Sequence, residues 1–575
     1  MQIVRLNCAF SRNLGRGDDV DGLGAIMRGI LKNQFGEANI FMDKKYTDFM
    51  DEISSDELYE GLLAYGLFAE KLPPVFTSVP FFNYCKTRSE EFKLNMCWNE
   101  YITFRVMRNI SIPRLMGIPN PFRYQMLCAE LKNDWDQLRT HFHKQTDGQN
   151  YRVSRIHVRK EYDSKRIFEM NYKNWRTDGN PELDLLIHNV GKSNDSSRVA
   201  RRFIVQTDIS TCFASVYTHS IPWALAGKNI AKQEIKDEEL YYNRIDKVCS
   251  NMRNGETHGL LIGPHASNLL AEIILTVVDK ELYDKGYRYV RNIDDYDCYV
   301  SSCDEAQRFL QDLEQELRKF DLSLNHKKTK IVELPTCIDA NWKRQLNDLP
   351  KVGVSGLVEY PQVNAFIDTA LMLAKETGNF AIVNYAIKKL KGAKLSANGK
   401  KLAAKRFMHM AVLYPYLLPL MEEYVFIPYE VAVCDIKEFS DAVYQEATKL
   451  NDYESLCYST YFAVRFNFLV DAFEKDYEGS LKYVKDSRDC LLLTMTWIYF
   501  VQQNHGKRDA TQVKDLNQVA KELEKTEMDR YWLFCYEALS ADNLRDQWSV
   551  MKRKNISFIR KEIRDLYTSS NHKTN

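Results

Sequence analysis

Tyr289-Val-Arg-Asn-Ile-Asp-Asp-Tyr-Asp-Cys-Tyr-Val300 sets two adjacent acids, Asp294 and Asp295, between two β-prone runs. That is the layout of a hairpin with the acids at its turn. Neighbouring carboxylates repel and lose hydration when held together, so a fold that keeps them paired usually has a cation to bind. Upstream, Phe203-Ile-Val-Gln-Thr-Asp-Ile209 reads as a short apolar strand ending in a third acid, Asp208. If the two segments share a sheet, three carboxylates converge on one spot. Such a platform suits two divalent cations that clamp the attacking and leaving oxygens of a nucleotidyl transfer.

Three further segments bear on that chemistry. In Thr207-Asp-Ile-Ser-Thr-Cys-Phe-Ala-Ser-Val-Tyr217 the chain turns from strand to helix after Asp208. Ile209 can offer a backbone carbonyl to a hard cation. The Phe213 ring can pack under a nucleotide sugar and exclude a 2′-hydroxyl. A capping Asp208 and a core Phe213 account for the same residues equally well. His258-Gly-Leu-Leu-Ile-Gly-Pro-His-Ala-Ser-Asn268 leads into a helix from Leu269. Gly259 and Gly263 allow close backbone approach to a flat partner such as a base. Ser267 and Asn268 stand at capping positions and Glu272 in the first turns, so an ordinary capped helix is the plainer reading. In Asp321-Leu-Ser-Leu-Asn-His-Lys-Lys-Thr-Lys-Ile331, Lys328 can neutralise or protonate a departing pyrophosphate, while Lys327 and Lys330 read as a solvated turn. Arg201 and Arg202 precede the Asp208 strand, and one of them is expected on the triphosphate. Asp297 shares a strand face with Asp295 and reads as solvent-facing. Cys298 and Cys303 read as buried strand residues.

The whole chain sets bounds. Its 575 residues exceed one core, and 45% apolar with 12% aromatic residues suits a folded protein of two to four domains. A net charge of +1 means that any basic surface is local. No apolar run reaches membrane-spanning length, and the N-terminus lacks a signal-peptide layout. Thirteen scattered cysteines, with no zinc spacing, fit reduced thiols in a cytoplasmic protein. Helical spacing appears over Asp51–Leu72 and Phe122–Phe142, with a Pro- and Gly-punctuated loop or edge strand between Ile110 and Pro121. Residues 203–334 alternate strand and helix, an α+β module. Lys192–Ser197 reads as a flexible loop and Thr568–Asn575 as a disordered tail. Beyond Pro361 helices follow one another: Ala365–Thr377, Ala381–Leu390, Lys401–Tyr414, Lys437–Leu450, Tyr458–Phe473, Leu491–Gln503, Val513–Lys525 and Asp529–Leu539. Lys391–Lys400 reads as a connector, and Tyr531, Trp532, Phe534 and Tyr536 as core. No clean repeat period is present.

The order of these motifs resembles the reverse transcriptases. Asp208 with Phe213 is similar to the first catalytic motif of that family, and Gly259–Asn268 to the second. Asn292-Ile-Asp-Asp295 is similar to the third and Leu324-Asn-His-Lys-Lys-Thr329 to the fourth. The resemblance covers about residues 100–335. Ile118-Pro-Asn-Pro121 and Tyr217-Thr-His-Ser-Ile-Pro-Trp-Ala-Leu225 look like the bacterial abortive-infection and defence-associated members. A helical C-terminal domain in place of a small thumb is similar to the AbiK-type members.

The resemblance implies an α+β right-hand fold. A reverse transcriptase domain spans 1–345, with fingers to about 202 and palm over 203–345, followed by an α-helical, repeat-like domain over 346–575. It implies that Asp208, the Ile209 carbonyl, Asp294 and Asp295 hold two Mg²⁺ ions (or Mn²⁺). It places Arg201, Arg202, Phe213, Gly263 and Asn268 at the incoming nucleotide and Lys328 in catalysis. It implies DNA synthesis from dNTPs in anti-phage immunity in the bacterial cytoplasm, started on a protein hydroxyl in some relatives, by a homo-oligomer. The product strand is either untemplated or copied from a partner non-coding RNA. Tyr567, read as exposed near the tail, is one candidate primer. Two positions depart from the family pattern: Asn292 where an aromatic residue is usual, and Leu261 where proline is common. Two alternatives stand beside this reading. An RNA-synthesising relative is disfavoured by Phe213, where such enzymes commonly place an acid. A silent nucleic-acid-binding scaffold is disfavoured by the intact acids.

Overall fold

The computed structural model describes residues 47–147 except 70, 89–91, 93–97 and 109–111, the strand pair at 158–160 and 167–169, residues 201–348 except 335–340, and residues 350–568 except 351, 354 and 355. The expected loop at Lys192–Ser197 and the tail beyond Thr568 lie outside them.

The first described elements are helical. Ser55–Tyr65 starts from a capping box in which Ser54 and Glu57 satisfy each other's backbone amides. Pro121–Asn133 starts after Asn120, whose side chain accepts from the Phe122 amide, with proline at the first helical position. The single helix expected over Phe122–Phe142 is two. Asp134 interrupts it with non-helical backbone, its carboxylate accepting from Arg244 at 3.1 Å, and a second helix runs over Trp135–Gln145. The Pro-rich stretch between the helices does hold an edge strand. Strands β1 (Ile102–Val106) and β2 (Arg114–Ile118) pair antiparallel, followed by the short pair β3 (Val158–Lys160) and β4 (Ile167–Glu169).

The centre is a four-stranded antiparallel sheet of β5 (Phe203–Asp208), β6 (Tyr289–Asn292), β7 (Asp295–Val300) and β8 (Lys330–Glu333), in the order β6-β7-β5-β8. Helices Ala266–Asp284 and Cys303–Arg318 pack beside it. Val205, Cys298, Val300, Phe309, Leu313 and Leu317 are buried between sheet and helix. Period-two alternation in the strands meets the helical stripe of Cys303–Arg318.

Beyond β8 the described chain is helical, as expected, with several boundaries moved. Ser396 caps the helix Ala397–Leu413 by accepting from the Gly399 amide, which shortens the expected connector. The helix expected over Tyr458–Phe473 ends at Phe466, where Asn467 turns left-handed at φ 54°, and a short helix Asp471–Lys475 follows. Pro415 and Pro419 divert residues 415–426 into 3₁₀ and π turns. Helices at Tyr477–Ser487, Asp546–Arg553 and Lys561–Thr568 were not expected. Helix Asn341–Asn347 packs with this region: the Lys389 ammonium donates to the Leu346 carbonyl at 2.6 Å, and the Trp342 and Tyr385 rings meet edge to face.

The helical region folds back onto the N-terminal helices. Phe122 and Trp548 lie 4.6 Å apart, Trp532 and Phe558 4.9 Å, and Phe81 and Phe558 5.5 Å, centroid to centroid. Phe76 and Ile559 form an antiparallel bridge. The amides of Asn99 and Asn120 both donate to Asp529. No helix among the described residues is long and apolar enough to cross a membrane.

Candidate active site

Strand register brings the three acids to one edge of the sheet. Asp208 at the end of β5 lies directly opposite Asp295 at the start of β7, a spacing of about 5 Å between Cβ atoms. Asn292 pairs with Asp295, so Ile293 and Asp294 form a two-residue turn. Ile293 has φ 58°, a left-handed conformation that is a strained outlier for a β-branched residue. Its carbonyl is held by the Arg291 guanidinium at 2.8 Å. The Ile209 amide donates to the Asp294 carbonyl at 3.0 Å, tying the turn to the end of β5.

The charges sit in tension. Asp208 is buried, with Oδ2 accepting from the Lys328 ammonium at 2.5 Å. Its Oδ1 is buried without a hydrogen-bond partner, a state that costs free energy unless a cation or donor arrives. Burial, then the Asp208 charge, raises the Asp294 carboxyl above its ordinary range. Burial and the charges of Asp294 and Asp208 push Asp295 up to about 6. The hydrogen bond to Asp208 raises Lys328. These signs mark carboxylates short of positive charge, and the all-oxygen donor set fits Mg²⁺ or Mn²⁺. Among the described residues, no three His, Cys, Asp or Glu side chains are already gathered as a ligand set. A cation shared by the three acids would need Asp294 and Asp295 to turn toward the unpartnered Asp208 oxygen.

The other expected residues divide. Phe213 lies in the short helix Cys212–Ser215, half-buried against the core, and its carbonyl accepts from the Leu260 amide at 2.7 Å. This joins the Gly-rich loop to the segment after Asp208. Within that loop, a Cβ on Gly263 would stand 3.0 Å from the Gly117 carbonyl. Gly263 thus has a structural reason to be glycine: close approach to β2. Asn268 is half-buried in the helix Ala266–Asp284, which starts after His265. Ser267 is not its cap, since its hydroxyl donates to the Leu261 carbonyl at 2.6 Å. Lys327 and Lys330 are exposed.

Four readings need correction. Arg201 and Arg202 stand at the opposite end of β5 from Asp208, some 20 Å away along the strand. Arg201 is engaged there by the Ser301 hydroxyl at 2.8 Å and by Glu305, so neither arginine is placed for a triphosphate at the acids. Cys303 is exposed at the start of a helix, although Cys298 is buried as expected. Asp297 is half-buried and accepts from the Gln206 amide across the strands at 3.0 Å. Tyr567 is buried, not exposed.

Sequence reasoning missed a buried triad behind the turn. Arg291, Glu272 and Asp279 have no exposed side-chain surface. The guanidinium bonds Glu272 at 2.9 Å and Asp279 at 2.6 Å, and Tyr289 donates to Asp279 at 2.6 Å. Glu272 belongs to this triad and is not a capping residue. The available signal was two acids seven residues apart in the largely apolar run Leu269–Asp279, with an arginine in a β-prone run downstream.

Residues 167–356 match the sequence profile of the reverse transcriptase (RNA-dependent DNA polymerase) family. The chain carries a reverse transcriptase domain. That domain has an α+β fold of the palm-and-fingers type, and a helical C-terminal region follows it. No curated protein matches it in sequence. Among solved structures it is similar to the apo telomerase of Candida tropicalis truncated from its C-terminal domain, at 13% identity and TM-score 0.29, over 44% of this chain and 54% of that one. It is also similar to the Candida albicans telomerase in complex with a fragment of telomeric RNA, at 11% identity and TM-score 0.27, over 68% and 66% of the two chains. This chain thus spans about half the length of the first of these.

Proposed function

We propose that this protein is a defence-associated DNA polymerase that joins deoxynucleotides at Asp208, Asp294 and Asp295. The observation that carries the reading is the pairing of Asp208 with Asp295 across two strands, with Asp294 in the adjoining turn and a buried Asp208 oxygen lacking a partner. The Ile209 carbonyl completes the oxygen donors. Asp208, Asp294, Asp295 and the Ile209 carbonyl would hold two Mg²⁺ or Mn²⁺ ions, which would supply Lewis-acid activation of the attacking hydroxyl and charge neutralisation at the leaving pyrophosphate.

The chain's own groups do the rest by positioning. Lys328 stands beside Asp208 and holds a proton within reach of a departing pyrophosphate oxygen. Phe213 presents a half-buried ring near the end of β5, where it excludes a 2′-hydroxyl. Gly263 and Asn268 sit on the loop and helix that bound the nucleotide's base. The defence role, the bacterial cytoplasmic setting, homo-oligomer assembly and initiation on a protein hydroxyl rest on the Tyr217–Leu225 resemblance. Synthesis is either untemplated or copied from a non-coding RNA.

Incubation of purified protein with each labelled dNTP separately, followed by protease or nuclease digestion, reads base preference, template need and covalent attachment together. Incorporation that requires Mg²⁺ and vanishes in Asp294→Ala, with circular dichroism unchanged, is the expected result. An Asp294→Ala protein that still incorporates nucleotides defeats the assignment.

A further inference from the structure

A cavity of about 610 Å³ opens where the last helix meets the N-terminal helical layer, away from the acids. Its volume lies in the range of ordinary ligand sites. One side is aromatic: Tyr65 and Phe68 are half-buried, and Phe68 stacks on Phe76 at 5.7 Å. The other side is cationic, with Arg560, Lys561 and Arg564 against the single acid Glu562. Arg560 is fixed by donating to the Phe76 carbonyl at 3.2 Å, and the Phe76–Ile559 bridge ties the two walls together. The cavity is thus built before any ligand arrives.

Its back wall abuts the Gly-rich loop. The His265 amide donates to the Gly66 carbonyl at 2.9 Å. A Cβ on Gly263 would stand 3.6 Å from the Cβ of Ala69, which lines the cavity. Segment 65–69 therefore separates the cavity from the Gly-rich loop by one layer of chain. Cations beside half-buried rings that line one cavity are the chemistry that holds a single strand: phosphates pair with arginine and lysine, and bases stack on aromatic rings whatever their sequence.

We propose that this cavity binds single-stranded nucleic acid, with phosphates on Arg560, Lys561 and Arg564 and a base against Tyr65 and Phe68. The proposal rests on the polymerase reading only for the source of the strand. The test uses the full-length protein without nucleoside triphosphates and a fluorescein-labelled dT 20-mer, read by anisotropy across a salt series. Lys561 is exposed and makes no ion pair among the described residues, so Lys561→Glu leaves the fold intact. It is expected to weaken binding about tenfold and to flatten the salt dependence by roughly 0.7 in the log–log slope, the loss of one phosphate contact on a single strand. Photo-crosslinking of an iodouracil-substituted strand is expected to label Tyr65 or Phe68. Free dTMP is expected to compete only weakly; full competition by dTMP would mark a mononucleotide site and overturn the proposal. Unchanged affinity and slope in Lys561→Glu, with cross-links elsewhere, would also overturn it. If wild-type protein still incorporates dNTPs in that case, the polymerase reading survives alone. If Lys561→Glu weakens binding but no incorporation occurs, the cavity survives and the polymerase reading falls.

Discussion

Phe213 and Arg291 separate what individual residues do in chemistry from what they do in structure. Phe213 is half-buried, so Phe213→Ala opens space beneath a sugar without emptying the deep core. Discrimination by shape in such a pocket is worth about 1–3 kcal/mol. The variant is expected to incorporate ATP against dATP some 10- to 200-fold more readily, read as the ratio of kcat/KM values; an unchanged ratio rejects the gate. Arg291 works differently. Replacing it with methionine leaves Glu272 and Asp279 buried without their cation, which costs about 3–5 kcal/mol. Urea unfolding of Arg291→Met should show that loss, along with loss of incorporation, because the carbonyl of the strained Ile293 is held by the same guanidinium. The three acids were legible in the sequence because adjacent carboxylates have no cheap structural explanation. Arg291 was not, because its partners lie 19 and 12 positions away on a helix whose packing against β6 sequence spacing does not reveal. The arginines before β5 misled for a related reason: closeness in sequence to Asp208 became distance once the strand extended.

Gly263 and Glu454 act by joining elements. A methyl group on Gly263 meets the Gly117 backbone carbonyl at 3.0 Å, at φ 134°, so Gly263→Ala must push the loop from β2. It is expected to lose about 1–3 kcal/mol of stability and to raise KM for dNTPs, because the loop it displaces is bonded to Phe213. A stable variant with unchanged KM rejects that coupling. Glu454, in the helix Tyr453–Phe466, accepts from the Met107 amide just beyond β1. Burial pushes its carboxyl from 4.5 up to about 8, with the Met107 amide opposing. Between those values the folded state binds the proton that the unfolded chain has released. Stability from this group is therefore present below about 4.5 and lost as pH rises toward 8. Thermal melts of Glu454→Gln should lack that fall, so the variant gains on wild type steadily from pH 5 to 8; parallel curves count against it. Elements with strong local signals were legible: a helix within Asp51–Leu72, found at Ser55–Tyr65, the β5 strand and the acid hairpin. Boundaries set by partners were not, since the break at Asp134 depends on Arg244 from a distant helix.

At the scale of the whole molecule, the C-terminal helical region and the N-terminal helices share one aromatic core. Tyr531, Trp532, Phe534 and Tyr536 were readable as core from sequence, and all four are buried. Their long-range partners were not readable, because nothing local announces that Phe81 and Phe122 meet Phe558 and Trp548 more than four hundred residues on. Each buried ring contributes about 2 kcal/mol. Four of them (Phe81, Phe122, Trp532 and Phe558) amount to roughly 8 kcal/mol, comparable to the whole stability of a typical domain, and half-buried Trp548 packs against them. Asp529 adds polar anchorage through Asn99 and Asn120. A chain ending at residue 334 would keep all three acids and lose this core. It is expected to aggregate or to bind hydrophobic dye strongly, with no incorporation, whereas full-length protein unfolds in one cooperative transition that reports both regions. A soluble, monomeric fragment that still polymerises would mean that the aromatic interface is dispensable. The helical region would then be an appendage, and the buried rings of Phe81 and Phe122 would need another cover.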